Sequence, residues 1–326
     1  MLYFVVGLPG HFSAWCDAVA AAFVRAAYGD GPILAADNLP ELAATAIRAG
    51  VSHGVVSCRR PGGWLRGTLT QAERRFILAF DDPRLALADL GDDIAAATSL
   101  VASSCAAISS YDGTPGGLTI RGDEAAADPI AAADAIAAHL GLAGDTASIV
   151  AELAEQGIVA DGAAARARWH ELDSNPRAWA EGALAPYITY FDTGHLTPIT
   201  WARELFFLGD RPSERASWIV DITGRARCLI QGPGIMIAPG NWLAIVKLLF
   251  SREATEHEFQ VELHSDRMLG EAAVRPEREG GLEVSFPLSI EETANHPLTI
   301  LLSNRRAAFD GACAMDNVVL MPQDLS

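Results

Sequence analysis

The sequence predicts an α/β fold built on a parallel sheet, followed by an all-β antiparallel sandwich or jelly roll. Two textures predict it. Up to about residue 185, short apolar runs alternate with alanine-rich helical stretches, as in a parallel sheet covered by helices on both faces. Beyond about residue 190 the segments are short, rich in β-branched and aromatic residues, and separated by Gly, Pro, Asn and Asp. Length supports the same division. The chain has 326 residues, half of them hydrophobic, and a single core stops growing near roughly 250–300 residues. Two domains are therefore expected, 1–190 and 191–326.

In the first half, residues 3–6 read as a buried strand and 13–28 as a helix carrying Val19, Phe23 and Ala26/Ala27 on its apolar face. Gly54–Cys58, 75–80 and 118–121 read as further strands, with helices at Leu39–Ala49, 84–109 and 130–140. Residues 145–179 read as helical throughout, weakly broken at Gly157 and Gly162. In the second half, strands are expected at 216–222, 227–230, 242–250, Phe259–His264, 282–287, 299–303 and 318–321. Turn signals lie between them: Gly232-Pro233-Gly234, Pro239-Gly240-Asn241, Gly280-Gly281 and Asn295-His296-Pro297. Phe259, Val261 and Leu263 alternate with Glu258, Gln260 and Glu262, which assigns one face to a core. The junction, 186–198, reads as packed rather than as a flexible tether.

Composition excludes several classes. The 24 basic and 41 acidic residues give a net charge of −17, a field that repels nucleic acid, and no basic stripe offsets it. No run approaches the ~20 apolar residues of a membrane span. The first apolar run stops at Gly7, too short for a signal peptide. Five cysteines, Cys16, Cys58, Cys105, Cys228 and Cys313, are odd in number, widely spaced and never CxxC, which argues against a disulfide framework or zinc site. A cytoplasmic location is expected. The motifs HExxH, GxGxxG and the EF-hand loop do not occur.

The first strand runs into Gly7-Leu8-Pro9-Gly10-His11-Phe12-Ser13 and then a helix, so that free amides at the helix start can seat an anion. A working phosphate loop adds a lysine. Here the only lysine is Lys247, in the other half of the chain, leaving His11 for partial positive charge and Ser13 for a hydroxyl. A plain tight turn is the alternative reading.

Three segments together make residues 1–180 resemble the sulfotransferase family, a P-loop-type α/β fold that uses the sulfate donor PAPS. VGLPGHFSAW is similar to the family's GxPRSGTT-type loop, FILAFDDPRLALADL to its strand and RDPRDVLVS-type turn, and LTIRGDEAAADPIAAADAIAAHLGL to its late strand and FLGL-ending helix. The resemblance implies a degenerate phosphate loop at Gly7, Pro9, Gly10, His11 and Ser13, because the family's cation falls on Gly10 and its small glycine on Phe12, whose ring is expected to obstruct the loop. It implies a degenerate 3′-phosphate site at Asp81, Arg84 and Asp89, where two acids stand in place of an arginine and a serine. No cofactor is expected. PAPS is implied only on the alternative of an active transferase.

In the second half, the Gly232–Trp242 entrance and the 315–320 strand resemble carbohydrate-binding, galactose-binding-like jelly-roll modules over 216–322. Trp201, Trp218, Trp242, Asn241, Asn304 and Arg305 are the available sugar-binding types, and Asp316 a weak metal candidate. His195 beside Asp192 is a weak acid–base candidate, as is His11. The resemblances together imply a non-catalytic protein that binds a carbohydrate or another protein in bacterial surface-polysaccharide biosynthesis or assembly. The alternative is a PAPS-dependent transferase acting on a carbohydrate acceptor.

Overall fold

The computed structural model describes residues 1–326 except 37, 51, 62, 72–73, 292–295 and 324–326. The turn signal at Asn295 thus lies outside the described residues. The chain divides into two compact units, Met1–Asp92 with Ser104–Leu172, and Asp93–Ser103 with Asp173–Ser326.

The first unit runs β1 (Leu2–Gly7), α1 (His11–Tyr28), β2 (Ile33–Ala35), α2 (Leu39–Ala49), β3 (Gly54–Cys58), α3 (Gly63–Gln71), β4 (Phe76–Phe80) and α4 (Pro83–Ala88). After α5 (Ile94–Ser109), only part of which belongs to it, come β5 (Gly117–Arg121), α6 (Gly122–Ala127), α7 (Pro129–Leu140), α8 (Thr146–Glu155) and α9 (Ala163–Glu171). Its strands form a parallel sheet in the order β2-β3-β1-β4-β5. β1 is central, with Val5 opposite Ser57 on one side and Ile77 on the other. The central strands are apolar along their length because helices cover both faces. α1 packs Phe12, Trp15, Cys16, Val19 and Phe23 into the core at helical spacing.

Several boundaries differ from the sequence reading, each for a local reason. The predicted helix 84–109 is two helices. Asp82 caps α4 by accepting from the Arg84 amide, and the 89–93 segment between them turns at Gly91, φ 101°. The predicted helix 145–179 is three, α8, α9 and α10 (Ser174–Thr193). Breaks fall at Gly157 and Gly162 as expected, and a further one at Asp173 was missed. Pro186 lies inside α10, so the region expected to begin the domain junction starts within a helix. The three-residue edge strand β2 was also missed.

The second unit is a two-sheet sandwich. Its strands are β6 (Ile199–Ala202), β7 (Phe207–Leu208), β8 (Val220–Asp221), β9 (Arg227–Ile235) and β10 (Gly240–Phe250), then β11 (Phe259–His264), β12 (Met268–Val274), β13 (Gly280–Ile290), β14 (Leu298–Asn304) and β15 (Ala312–Gln323). One antiparallel sheet has the order β13-β10-β15-β6, with β8 also on β15; the other has β12-β11-β14-β9-β7. The inner faces alternate with period two: Ala244, Val246, Leu248 and Phe250 from β10 meet Phe259, Val261 and Leu263 from β11, with the Phe250 and Phe259 rings 4.7 Å apart. Edge strand β13 carries Pro287, which suits an edge because it cannot donate to a further strand. Of the strand expected at 216–222 only Val220–Asp221 pairs, and β6, β7 and β12 were not expected. Among the described residues no helix is long and apolar enough to cross a membrane.

Two sugar-platform candidates are corrected by burial. Trp242 is 2% exposed because it continues the inward series of β10, and its indole N–H donates to the Ala238 carbonyl at 2.9 Å. Trp201 is fully buried in β6. Trp242→Ala is expected to remove about 3–5 kcal/mol of stability, the usual cost of emptying a core indole, measured by chemical denaturation.

Candidate functional site

In an open parallel sheet, ligands bind beyond the strand C-termini where the strand order turns outward. Here that point is the end of β1 and β4, where the 8–10 loop meets Asp81 and Asp82. α1 begins at His11, and its N-cap, Gly10, offers no side-chain acceptor. The orphan amides of a helix start need an anion or an acceptor. The chain supplies its own. Asp89 Oδ2 accepts from the His11 backbone N–H at 2.8 Å and from His11 Nδ1 at 2.7 Å. Arg168 on α9 bonds the other Asp89 oxygen and donates through Nε to the Ala88 carbonyl at 2.9 Å. Asp81 Oδ2 stands 3.6 Å from His11 Nε2.

Close packing holds this cluster. Gly10 has φ 142°, a conformation that side chains rarely adopt, and a Cβ there would sit 3.2 Å from Asp89 Oδ2, crowding the carboxylate by a few tenths of an ångström. A Cβ on Gly162 would fall 2.9 Å from the His11 ring. The void left among loop residues 8–13, Asp81 and Ala86 is about 10 Å³, at the threshold for one water molecule. Phe12 is not the obstruction: its ring turns into the core, stacked on Trp15 with centroids 6.0 Å apart. Gly7 ends β1, Pro9 and Ser13 are buried, and Arg84 forks onto Asp82 at 2.6–3.0 Å.

Charge follows the geometry. Burial pulls the His11 imidazole down, but the Asp89 hydrogen bond and charge, with Asp81 and the Ala160 carbonyl, raise it above the usual histidine range. Burial lifts Asp81 to about 6, against its hydrogen bond from the Asp82 amide and the His11 charge. Burial also acts to raise Asp89, but hydrogen bonds from His11 and the charges of His11 and Arg168 outweigh it and hold Asp89 low. A second buried carboxylate, Asp17 on α1, accepts from Ser57 at 2.8 Å and pairs with Arg59; burial still leaves it raised. Sequence reasoning missed Asp17, Arg59 and Arg168. Their partners are 40 or more residues away, and no local pattern marks them.

The remaining predicted residues are dispersed. His195 is exposed just beyond the α10 C-cap, and its amide donates to Thr193 Oγ1. Asn304 is 2% exposed and is a structural brace: Oδ1 accepts from the Arg227 amide at 2.7 Å and Nδ2 donates to the Arg306 carbonyl at 3.0 Å. Arg305 pairs with Glu258 at 3.3 Å. Trp218 is 47% exposed, with the Arg203 guanidinium 3.9 Å over its ring. Asp316 sits at a bulge in β15 and accepts from Asn317. No group of three or more potential metal ligands occurs among the described residues.

The sandwich instead assembles a face that sequence reasoning missed. On the outer side of the sheet β12-β11-β14-β9-β7, cross-strand register lines up Glu271, Glu262, Leu301, Gln231 and Phe207 in one row, with Ala273, Gln260, Ser303 and Cys228 in the next. Gln260 Nε2 donates to Glu271 at 3.0 Å, His264 Nε2 lies 2.7 Å from Glu262, and the Arg215 guanidinium covers the Phe207 ring at 4.2 Å. With strands ~4.8 Å apart, the row spans roughly 19 Å. Gln231, Gln260 and Glu262 are half-buried, and Gln260, Glu262 and Glu271 are already hydrogen-bonded, so these last three are oriented before any ligand arrives. The alternation within β11 signalled this face, but the neighbouring strands came only from tertiary pairing.

No protein-family model and no curated protein matches the chain. Solved structures similar to part of it include TmCBM61 in complex with beta-1,4-galactotriose, at 10% identity and TM-score 0.24, covering 31% of this chain and 67% of that one. A family 16 carbohydrate-binding module matches at 9% identity and TM-score 0.24, covering 30% and 72%. The carbohydrate-binding module CBM36 in complex with calcium and xylotriose matches at 13% identity and TM-score 0.24, covering 37% and 98%.

Asp89→Asn is expected to cost about 1–3 kcal/mol of stability in denaturant titrations, the worth of charged hydrogen bonds to partly buried groups. The pH dependence has a definite sign. His11 is raised, so its contribution is full below the unfolded-state value of ~6.5 and is lost as pH climbs through the higher folded value. Asp81 runs the same way, since between ~3.9 and about 6 the folded state keeps a proton that the unfolded chain has released. Asp89 is held low, so its stabilisation is present above ~3.9 and is lost as pH falls through the folded value. The margin in melting temperature of the wild type over His11→Asn is therefore expected to shrink from pH ~5 to pH ~8. A constant margin would show that the imidazole does not titrate against these acids.

Proposed function

We propose that this chain is a non-catalytic glycan-binding protein whose second unit holds the sugar on the outer face of the sheet β12-β11-β14-β9-β7. The observation that carries the reading is the row of planar groups, Gln231, Glu262 and Glu271, the two carboxylates oriented by hydrogen bonds to His264 and Gln260 beside it. Vicinal hydroxyls are both donors and acceptors. A carboxylate accepts from a hydroxyl pair, an amide accepts and donates, and the strand spacing sets such groups side by side. The half-burial of Gln231, Gln260 and Glu262 limits the side-chain entropy lost when a flexible saccharide is held.

The non-catalytic part of the reading is supported by the β1–α1 loop. A sulfate donor such as PAPS carries its charge on phosphates, and the helix start that would receive them is taken by Asp89, with Asp81 adding a second acid beside it. At contact distance a phosphate there meets repulsion from both carboxylates. A part in surface-polysaccharide assembly is the setting we attach to this reading.

Calorimetric titration of the full chain with a panel of linear neutral oligosaccharides tests the proposal. Binding is expected, and Gln260→Ala and Glu262→Ala are each expected to weaken it about ten-fold, the loss of one or two hydrogen bonds, without moving the melting temperature. Undiminished affinity in both variants would overturn the assignment to this face. Titration with PAPS is expected to give no heat; a saturating isotherm would restore the transferase reading.

A further inference from the structure

At one corner of this sheet, where β11 begins and β12 ends, lies an open cleft of about 350 Å³. Its charged walls are Arg275, Arg306, Glu256 and Glu258, with the His257 ring beside them. The acids do not dominate it. Glu258 is already engaged, its carboxylate with Arg305 Nη1 at 3.3 Å and its carbonyl with the Arg305 amide at 2.9 Å. Glu256 then stands alone against two guanidinium groups, and neither of those side chains is engaged by another described residue. In a chain of net charge −17, such a local excess of cation is a departure from the surface around it. Charges farther away than a Debye length of ~8 Å are largely screened at physiological ionic strength.

The cleft is also held in shape. Asn304 donates to the Arg306 carbonyl at 3.0 Å, and the Arg305 amide bonds back to Glu258, so the loop carrying Arg306 is tied to the segment carrying His257. It opens onto the glycan face, because Ala273 in its wall is the register partner of Gln260, and Glu258 directly precedes Phe259 of β11. Guanidinium forks match the planar, two-oxygen edge of a carboxylate or sulfate and add little for a neutral hydroxyl.

We infer that Arg275 and Arg306 receive the anionic substituent, a carboxylate or a sulfate ester, of an acidic sugar whose neighbouring residues lie along the Gln260–Glu271 side of the face. The inference rests on the glycan-binding reading and names the class of glycan. The ligand is an acidic polysaccharide, bound at its charged ring in the cleft and through its hydroxyls on the sheet.

The test compares three oligosaccharides of equal length, an oligogalacturonate, a sulfated galactan and a neutral galactan, titrated into the full chain. One of the acidic ligands is expected to bind about ten-fold tighter than the neutral one. That preference is expected to shrink as salt is raised, and to vanish in Arg275→Gln/Arg306→Gln while affinity for the neutral ligand and the melting temperature stay unchanged. The tighter of the two acids identifies the group. Equal affinity for all three in the wild type, or a preference that survives in the double variant, overturns the cleft assignment. If the neutral ligand still binds and still weakens in Gln260→Ala, the glycan face stands without it. Failure of all three to bind overturns both.

Discussion

A single carboxylate organises the first unit's strand-end crevice. The start of α1 carries unpaired amides and the positive end of a helix dipole, and an anion must answer them. In this chain the anion is covalently its own. Asp89 reaches the His11 amide and imidazole at 2.7–2.8 Å and is clasped from outside by Arg168. Because Asp89 follows α4 and Arg168 lies on α9, one carboxylate fixes the β1 loop, α4 and α9 against each other. A free anion that entered would have to displace a tethered one, whose effective concentration is set by the fold. The space beside it, about 10 Å³, offers no alternative berth.

That arrangement divides the chemistry of the molecule between its units. The first turns its polar groups inward, with His11 between two acids and Asp17 between Ser57 and Arg59, so that charge is satisfied within the chain. The second keeps a sealed apolar interior of alternating strand residues and places amides, carboxylates and an imidazole on an outer sheet face, where hydrogen bonds orient Gln260 with Glu271 and His264 with Glu262 without using all their donors and acceptors. Arginine marks the difference as well. Arg168 is spent on Asp89, Arg305 on Glu258 and Arg215 on the Phe207 ring, whereas Arg275 and Arg306 face an open cleft.

Individual candidates show how far side-chain type alone carries an argument. Trp242 is an aromatic after a Pro-Gly turn, a pattern that serves a sugar platform and a core strand equally; the inward parity of Ala244, Val246 and Leu248 decides for the core. Asn304 and Arg305 sit together in sequence but not in role, since the last residue of β14 faces inward to brace backbone groups and the next faces outward. Phe12 was expected to block the β1 loop. It lies on the buried side of α1, one residue after His11, and a helix turns successive residues by about 100°, so His11 faces the acids while Phe12 faces Trp15.

The sequence by itself determined the two classes of architecture, the central strands, and the identity of the acids at positions 81 and 89, because all of these follow from local periodicity and residue type. It did not determine that those acids meet His11 and Arg168, nor that Gln231, Glu262 and Glu271 share a row, nor that Arg275 and Arg306 share a cleft. Such meetings join residues tens of positions apart. They are fixed by strand pairing and helix packing, whose register is a property of the whole buried core and leaves no mark in any short stretch of chain.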